Sequence, residues 1–195
     1  MSFLQSAASH VTDWLVRGGG IAAKDREIYE YGLDKLFSMI TCLIFTFLLG
    51  VVVGVRLPSV IFFAAYFVLR VYAGGYHADT QLRCFFISIG IMMPALLVIR
   101  FQQAWCSPAR FGGLLVLGIA ILVGLAPVEN KEKLLDALEK SVYRRRLLIN
   151  LLLISVLSVI LFLMPHREYG VAVLCGILLA SAMAVAGKVK LLLTL

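Results

Sequence analysis

The sequence predicts an all-α, polytopic membrane protein with six transmembrane helices and an N-terminal amphipathic helix lying in the membrane interface. Three observations carry this prediction. Of the 195 residues, 62% are hydrophobic and 15% charged, and the mean hydropathy is +0.98, where soluble domains are roughly 45–50% apolar and about 25% charged. Uncharged apolar runs recur at close to the roughly 20 residues a helix needs to cross the hydrocarbon core. Lys and Arg fall unevenly on alternate sides of those runs. A water-soluble globule, a disordered chain and a disulfide-stapled secreted module are all excluded.

At the N-terminus, Phe3, Leu4, Ala7, Ala8, Val11, Trp14 and Leu15 recur at helical spacing opposite Gln5, Ser9, His10 and Asp13, the pattern of a helix that lies along a membrane surface. Gly18-Gly19-Gly20 is a hinge, and a polar helix over Lys24 to Lys35 leads into the first span. No basic segment precedes an early apolar run, so this stretch does not read as a signal peptide. Anchoring and substrate docking are equally compatible with it.

Four spans are long and uncharged: 36–55, 111–128, 147–164 and 169–187. Two are shorter, 57–73, interrupted only by Arg70, and 84–99. Pro58 suits the first turn of the second helix, where its missing N–H is no loss, and Pro94 should kink the third. With six spans, one side collects fourteen basic residues and the other four, Arg56, Arg100, Arg110 and Arg167. The positive-inside rule then places both termini and the loops 74–83 and 129–146 in the cytoplasm. The net charge of +7 therefore reports topology, and nucleic acid is not an expected partner. The whole chain, 1–195, reads as one membrane domain: a cytoplasmic amphipathic region (1–35), the bundle (36–187) and a short cytoplasmic tail (188–195).

The longest charged segment is ENKEKLLDALEKSVYRRR, residues 129–146. Glu129 with Lys133, and Asp136 with Lys140, stand at the i,i+4 spacing of an exposed helix. The simpler reading is a solvated loop whose basic end holds topology.

Chemistry concentrates in RVYAGGYHADTQLRC, residues 70–84. Arg70, His77, Asp79, Arg83 and Cys84 share one short connection, and an Arg at membrane depth costs about 2.5–3.5 kcal/mol on the insertion scale, so it is a functional candidate unless it snorkels to the headgroups. His77 and Cys84 suggest a base and a nucleophile. On one unbroken helix they would lie about 10.5 Å apart along the axis at 1.5 Å per residue. The chain must therefore bend. Gly74-Gly75 permits the break, and Asp79 could cap a helix starting at Thr80, or else orient His77. Cys84 would then follow a helix N-terminus, beside Arg83, where a thiol's pKa falls from its usual value of about 8.5. Cys42 and Cys175 lie inside apolar spans as packing residues, Cys106 falls in an outer loop, and His10 and His166 have no convergent partners. No metal-ligand spacing, phosphate loop, HExxH or GxSxG is present, and neither a metal nor a cofactor is expected. Gly170, Gly176, Ala180, Ala184 and Gly187 suit close helix packing or dimerisation.

The 70–84 string resembles the core motif of the AgrB family, bacterial membrane proteins that process quorum-sensing peptides. EYGLDKL before the first span and APVENK after the fourth are similar to that family's pattern as well. The resemblance implies a cysteine endopeptidase in the bacterial cell membrane, a homodimer, with its active site on the cytoplasmic side and an AgrD-like precursor peptide as substrate. It makes Cys84 the nucleophile and His77 the general base, with Arg70 and Gly75 in supporting positions and Gly74 beside them. Arg83 or the loop lysines could hold the precursor's acidic tail. The product would be a thiolactone, or a lactone if the peptide carries Ser. A peptide transporter or export scaffold without catalysis is the alternative, and it would not depend on Cys84.

The orientation can be checked by labelling. A variant with Asp79→Cys should react with a membrane-impermeant maleimide from the cytoplasmic face, and reaction from outside alone would overturn the topology.

Overall fold

A computed structural model describes residues 3–76, 81–128 and 136–193, of which 3, 4, 81, 82, 84, 85 and 137 are described by backbone only. The described residues form helices α1 (Phe3–Arg17), α2 (Arg26–Val53), α3 (Arg56–Ala73), α4 (Gln81–Arg100), the one-turn α5 (Gln102–Trp105), α6 (Pro108–Leu125), α7 (Ala137–Leu163) and α8 (Arg167–Leu193). Five of them, α2, α3, α6, α7 and α8, are long and apolar enough to cross a membrane. The apolar part of α4, Phe86–Arg100, is shorter. The chain is thus a multi-pass membrane protein, all-helical among the described residues, in which five of the six expected spans are long enough to cross and the expected third is not.

Helix α8 occupies the centre. Its apolar stretch is 78% buried inside the protein, against 11% for α2, and α3, α6 and α7 pack around it. A helix apolar on every side belongs in such a position. Small residues allow the approach: a Cβ on Gly170 would lie 2.6 Å from Phe162 Cα, and one on Gly176 would lie 2.9 Å from the Phe62 carbonyl oxygen and the Tyr66 nitrogen. Gly170, Gly176, Ala180, Ala184 and Gly187 are all buried within the chain. Their small surfaces are consumed by intramolecular packing.

The surrounding helices each turn one stripe inward. In α3 the buried residues Pro58, Phe62, Ala65, Leu69 and Ala73 follow helical spacing, and in α7 Leu147, Leu151, Ser155, Ser158 and Phe162 do the same. The other faces of α7 expose Leu148, Leu152, Leu153 and Leu163, as lipid-facing surface should. Hydroxyls fasten α8 across two interfaces: Ser158 Oγ donates to the Gly170 carbonyl at 2.9 Å, and Ser181 Oγ to that of Gly118 at 3.0 Å.

Several boundaries differ from the sequence reading. The polar helix over Lys24 to Lys35 and the first span form one continuous helix, because nothing between Arg26 and Val53 breaks it. The fourth span stops at Leu125, since Ala126 is extended ahead of the cis Ala126–Pro127 bond, and a residue before proline is driven out of the helical region. Helix α7 begins ten residues before Leu147, with the Asp136 N–H donating to the Glu139 carboxylate at 3.4 Å. Residues 129–135 lie outside the described residues. Pro58 stands in the first turn of α3 and Pro94 inside α4, as the sequence indicated.

At the N-terminus, α1 folds back on α2 through Gly18–Gly20. Its polar side faces α2: Arg26 donates across to Asp13 at 2.8 Å and to Ser9 Oγ at 3.0 Å, and within α2 to Glu30 at 2.6 Å. The Arg26 guanidinium holds the Asp13 carboxyl below its ordinary range. Val11 and Trp14 stay exposed, leaving an apolar edge free for a membrane surface.

The central packing makes a direct prediction. Gly176→Ala should destabilise the protein by about 1–3 kcal/mol through overpacking, whereas Gly112→Ala, whose Cβ meets nothing within 4 Å, should be neutral or gain up to about 1 kcal/mol of helix propensity. Thermal unfolding in detergent tests this, and equal midpoints for the two variants would refute the tight crossing.

Candidate functional site

The alternation of helices brings three segments to one end of the bundle: the end of α3, the segment after α6 and the last turns of α8. Residues 70–76 form their meeting point. Helix α3 stops because Gly74 takes φ 69° and ψ −152° and Gly75 takes φ 121°, backbone that an L side chain rarely adopts. The break falls before position 77, as the sequence reading of Gly74-Gly75 expected.

Four residues, Val128, Met183, Arg70 and Lys190, hold the broken segment. Val128 N–H donates to the Ala73 carbonyl at 2.9 Å, and Gly74 and Val128 make an isolated parallel bridge. Tyr76 N–H donates to the Met183 carbonyl of α8 at 3.0 Å. The Arg70 guanidinium donates to the carbonyls of both Gly74 and Tyr76. Lys190 Nζ stands 5.1 Å from the centroid of the Tyr76 ring, within cation–π range. Arg70 therefore satisfies the carbonyls of the turn, and its head group is not simply extended toward the headgroups.

Beyond the break, Cys84 is the fourth residue of α4 as described, which starts at Gln81. A position in the first turn of a helix favours negative charge. Arg83 beside it is exposed. His77 and Asp79 lie outside the described residues, as does the expected cap at Asp79. The sequence thus located the glycine break, and the structure draws Arg70, Gly74 and Gly75 into one cluster.

The other cysteines are placed differently. Cys175 is buried in α8 and Cys42 half-buried in α2, both within spans. Cys106 lies beyond α5 at the opposite end, and burial pushes its thiol up, against a smaller opposing effect of Arg167. A raised pKa leaves the unreactive thiol. No group of three or more His, Cys, Asp or Glu side chains suited to a metal is found among the described residues.

The sequence reading missed Val128, Met183 and Lys190 as partners of the motif. The APVENK segment was a usable signal for Val128, because a proline just before it marks a helix end. A separate open groove of about 350 Å³ lies between α1 and α2, lined by Gln5, Glu27, Glu30, Tyr31 and Asp34. The EYGLDKL segment supplies part of it.

The family model for accessory gene regulator B, AgrB, matches residues 8–184. The chain belongs to the AgrB family. It is also similar to two proteins named AgrB-like from Clostridium perfringens, 26% identical in strain SM101 and 27% in strain 13, each over 70% of this chain and 68% of the relative. No solved structure matches it. The match takes in the glycine break, the Pro127–Val128 segment and α8 as far as Ala184, so Met183 lies within the AgrB region while Gly187 and Lys190 follow it.

The clamp on the turn is testable without substrate. Arg70→Lys keeps the charge but loses the planar fork that reaches two carbonyls. Losing one charged hydrogen bond, worth about 1.5–3 kcal/mol, should speed hydrogen exchange at the Tyr76 amide by about tenfold or more. Unchanged exchange in peptides covering 73–76 would show that Arg70 does not hold the turn.

Proposed function

We propose that this AgrB-family protein is a membrane-embedded cysteine endopeptidase that trims an AgrD-like precursor peptide and promotes its cyclisation. Family membership supports quorum-sensing peptide processing as the general role. The observation that carries the finer reading is the helix break at Gly74-Gly75, which separates His77 from α3, with Cys84 following in the first turn of α4. A continuous helix would keep the two apart along its axis.

In this reading His77 takes the proton of the Cys84 thiol, and the thiolate attacks the carbonyl carbon at the boundary between the peptide and its C-terminal tail. The C–N bond breaks, the proton passes from His77 to the departing amine, and a peptidyl thioester remains on Cys84. A Cys thiol within the bound peptide then gives its proton to His77 and attacks that thioester, and Cys84 leaves as thiolate, restoring the His77–Cys84 pair. One thioester replaces another, so ring closure is close to isoenergetic and needs no nucleotide. A Ser in the peptide would give a lactone.

Basic residues frame the site. Lys188 and Lys190 at the end of α8 and Arg144, Arg145 and Arg146 in the first turns of α7 belong to the same end of the bundle, and Arg83 stands in the first turn of α4. Such a field suits an acidic tail. The positive-inside rule assigns this end, with both termini, to the cytoplasm. Exclusion of water at a membrane interface favours exchange over hydrolysis. The protein would work as a homodimer among membrane lipids.

Purified protein in liposomes should convert a tagged AgrD-like precursor to a shortened peptide with a covalent enzyme adduct, read by intact mass. Cys84→Ala should abolish both, and His77→Ala should slow acylation by about 10²–10⁴-fold, the usual range for lost general base catalysis. Cleavage that survives Cys84→Ala would favour the transporter reading.

A further inference from the structure

One face of α8 is fitted to the segment before His77. Met183 and Gly187 are one turn apart, and Lys190 follows three residues later, so the three share a face. Met183 offers its carbonyl to the Tyr76 N–H, and Lys190 sets its ammonium over the Tyr76 ring. Gly187, between them, offers only space. A Cβ there would lie 2.5 Å from the Cα and carbonyl carbon of Gly75 and 2.7 Å from the Tyr76 nitrogen.

This contact differs in kind from the other close approaches of α8. Gly170 and Gly176 face the helical backbones of α7 and α3. Gly187 faces the non-helical backbone of the motif itself, and Gly75 is a glycine too, held at φ 121°. Two missing side chains bring the two main chains together, and the Met183 carbonyl then catches the Tyr76 amide. Tyr76 is followed directly by His77.

We propose that Gly187 is a positioning residue of the candidate peptidase. By admitting Gly75 and Tyr76 against α8, it fixes the backbone that immediately precedes His77. The proposal rests on the peptidase reading above and assigns to the last turns of α8 a role in activating Cys84.

The test measures thiol reactivity rather than peptide turnover. Cys42, Cys106 and Cys175 are replaced by Ala, and alkylation of Cys84 by iodoacetamide is timed at neutral pH in liposomes. The difference between this parent and its His77→Ala derivative sets the scale of activation. Gly187→Ala should lower the rate by about tenfold, toward the His77→Ala value, as expected when a thiol loses its activating partner. Gly170→Ala creates an equally tight clash at the other end of the bundle. It should lower the unfolding midpoint similarly while keeping the parent's alkylation rate.

A parent-like rate for Gly187→Ala, with His77→Ala slow, would overturn the proposal and leave the peptidase reading standing. Equal rates for the parent and His77→Ala would defeat that reading and the proposal together. Should Gly187→Ala fail to fold, Lys190→Met, which removes the cation over Tyr76, should slow alkylation by about two- to threefold. An unchanged rate there would equally count against the proposal.

Discussion

Everything at the candidate site depends on the burial of α8. A central helix in a membrane bundle gains little from hydrophobic exclusion, because lipid tails are as apolar as its own side chains, and it must be held by contact packing and hydrogen bonds. Small residues supply the contact. With Gly170 against Phe162 and Gly176 against Phe62 and Tyr66, α8 sits close enough to α7 and α3 that its last turns meet the end of α3. The site is built on that meeting, and α8 is at once the scaffold's core and one wall of the turn.

Irregular backbone is expensive near a membrane unless protein groups satisfy it. Two such segments, 74–76 and 126–128, adjoin at this end, and their polar groups are met partly by each other and partly by α8 and Arg70. Ala73 accepts from Val128, Met183 accepts from Tyr76, and Arg70 covers two of the remaining carbonyls. Neither segment could be replaced by regular helix without losing the other's partner. The glycine pair permits the sharp turn, and Pro127 keeps the opposing chain out of a helix so that it can run alongside Gly74.

Much of this was legible in the sequence, but unevenly. The long apolar runs identified α2, α6, α7 and α8, and Gly74-Gly75 identified the break after α3, because both signals are local. The length of the first helix was not legible, since its polar and apolar halves differ in solvent and not in propensity. The end of α6 was misplaced by three residues because Val128 is as apolar as the span it follows, and only Pro127 betrayed the change. The role of Gly187 lay furthest from view: a small residue in an apolar helix looks the same whether it faces lipid, a second copy or Gly75. Contacts between residues more than a hundred positions apart leave no trace in local pattern. The pairing of α8 with the motif could therefore be read only from the fold.

The placement of the four cysteines shows how the same bundle would select one of them for the proposed chemistry. A thiolate in mid-span carries the full cost of a charge in hydrocarbon, which keeps Cys42 and Cys175 as packing atoms. Cys106 is outside the spans, yet burial raises its thiol and nothing but Arg167 opposes it. Cys84 stands instead at the start of α4, where unpaired amides favour an anion, at the end of the bundle that gathers most of the basic residues. In the proposed chemistry a thiolate there would gain from the helix terminus what it would lose in mid-span. A nucleophile set one turn further into α4 would forfeit most of that gain, because the effect of a helix terminus fades within its first turn.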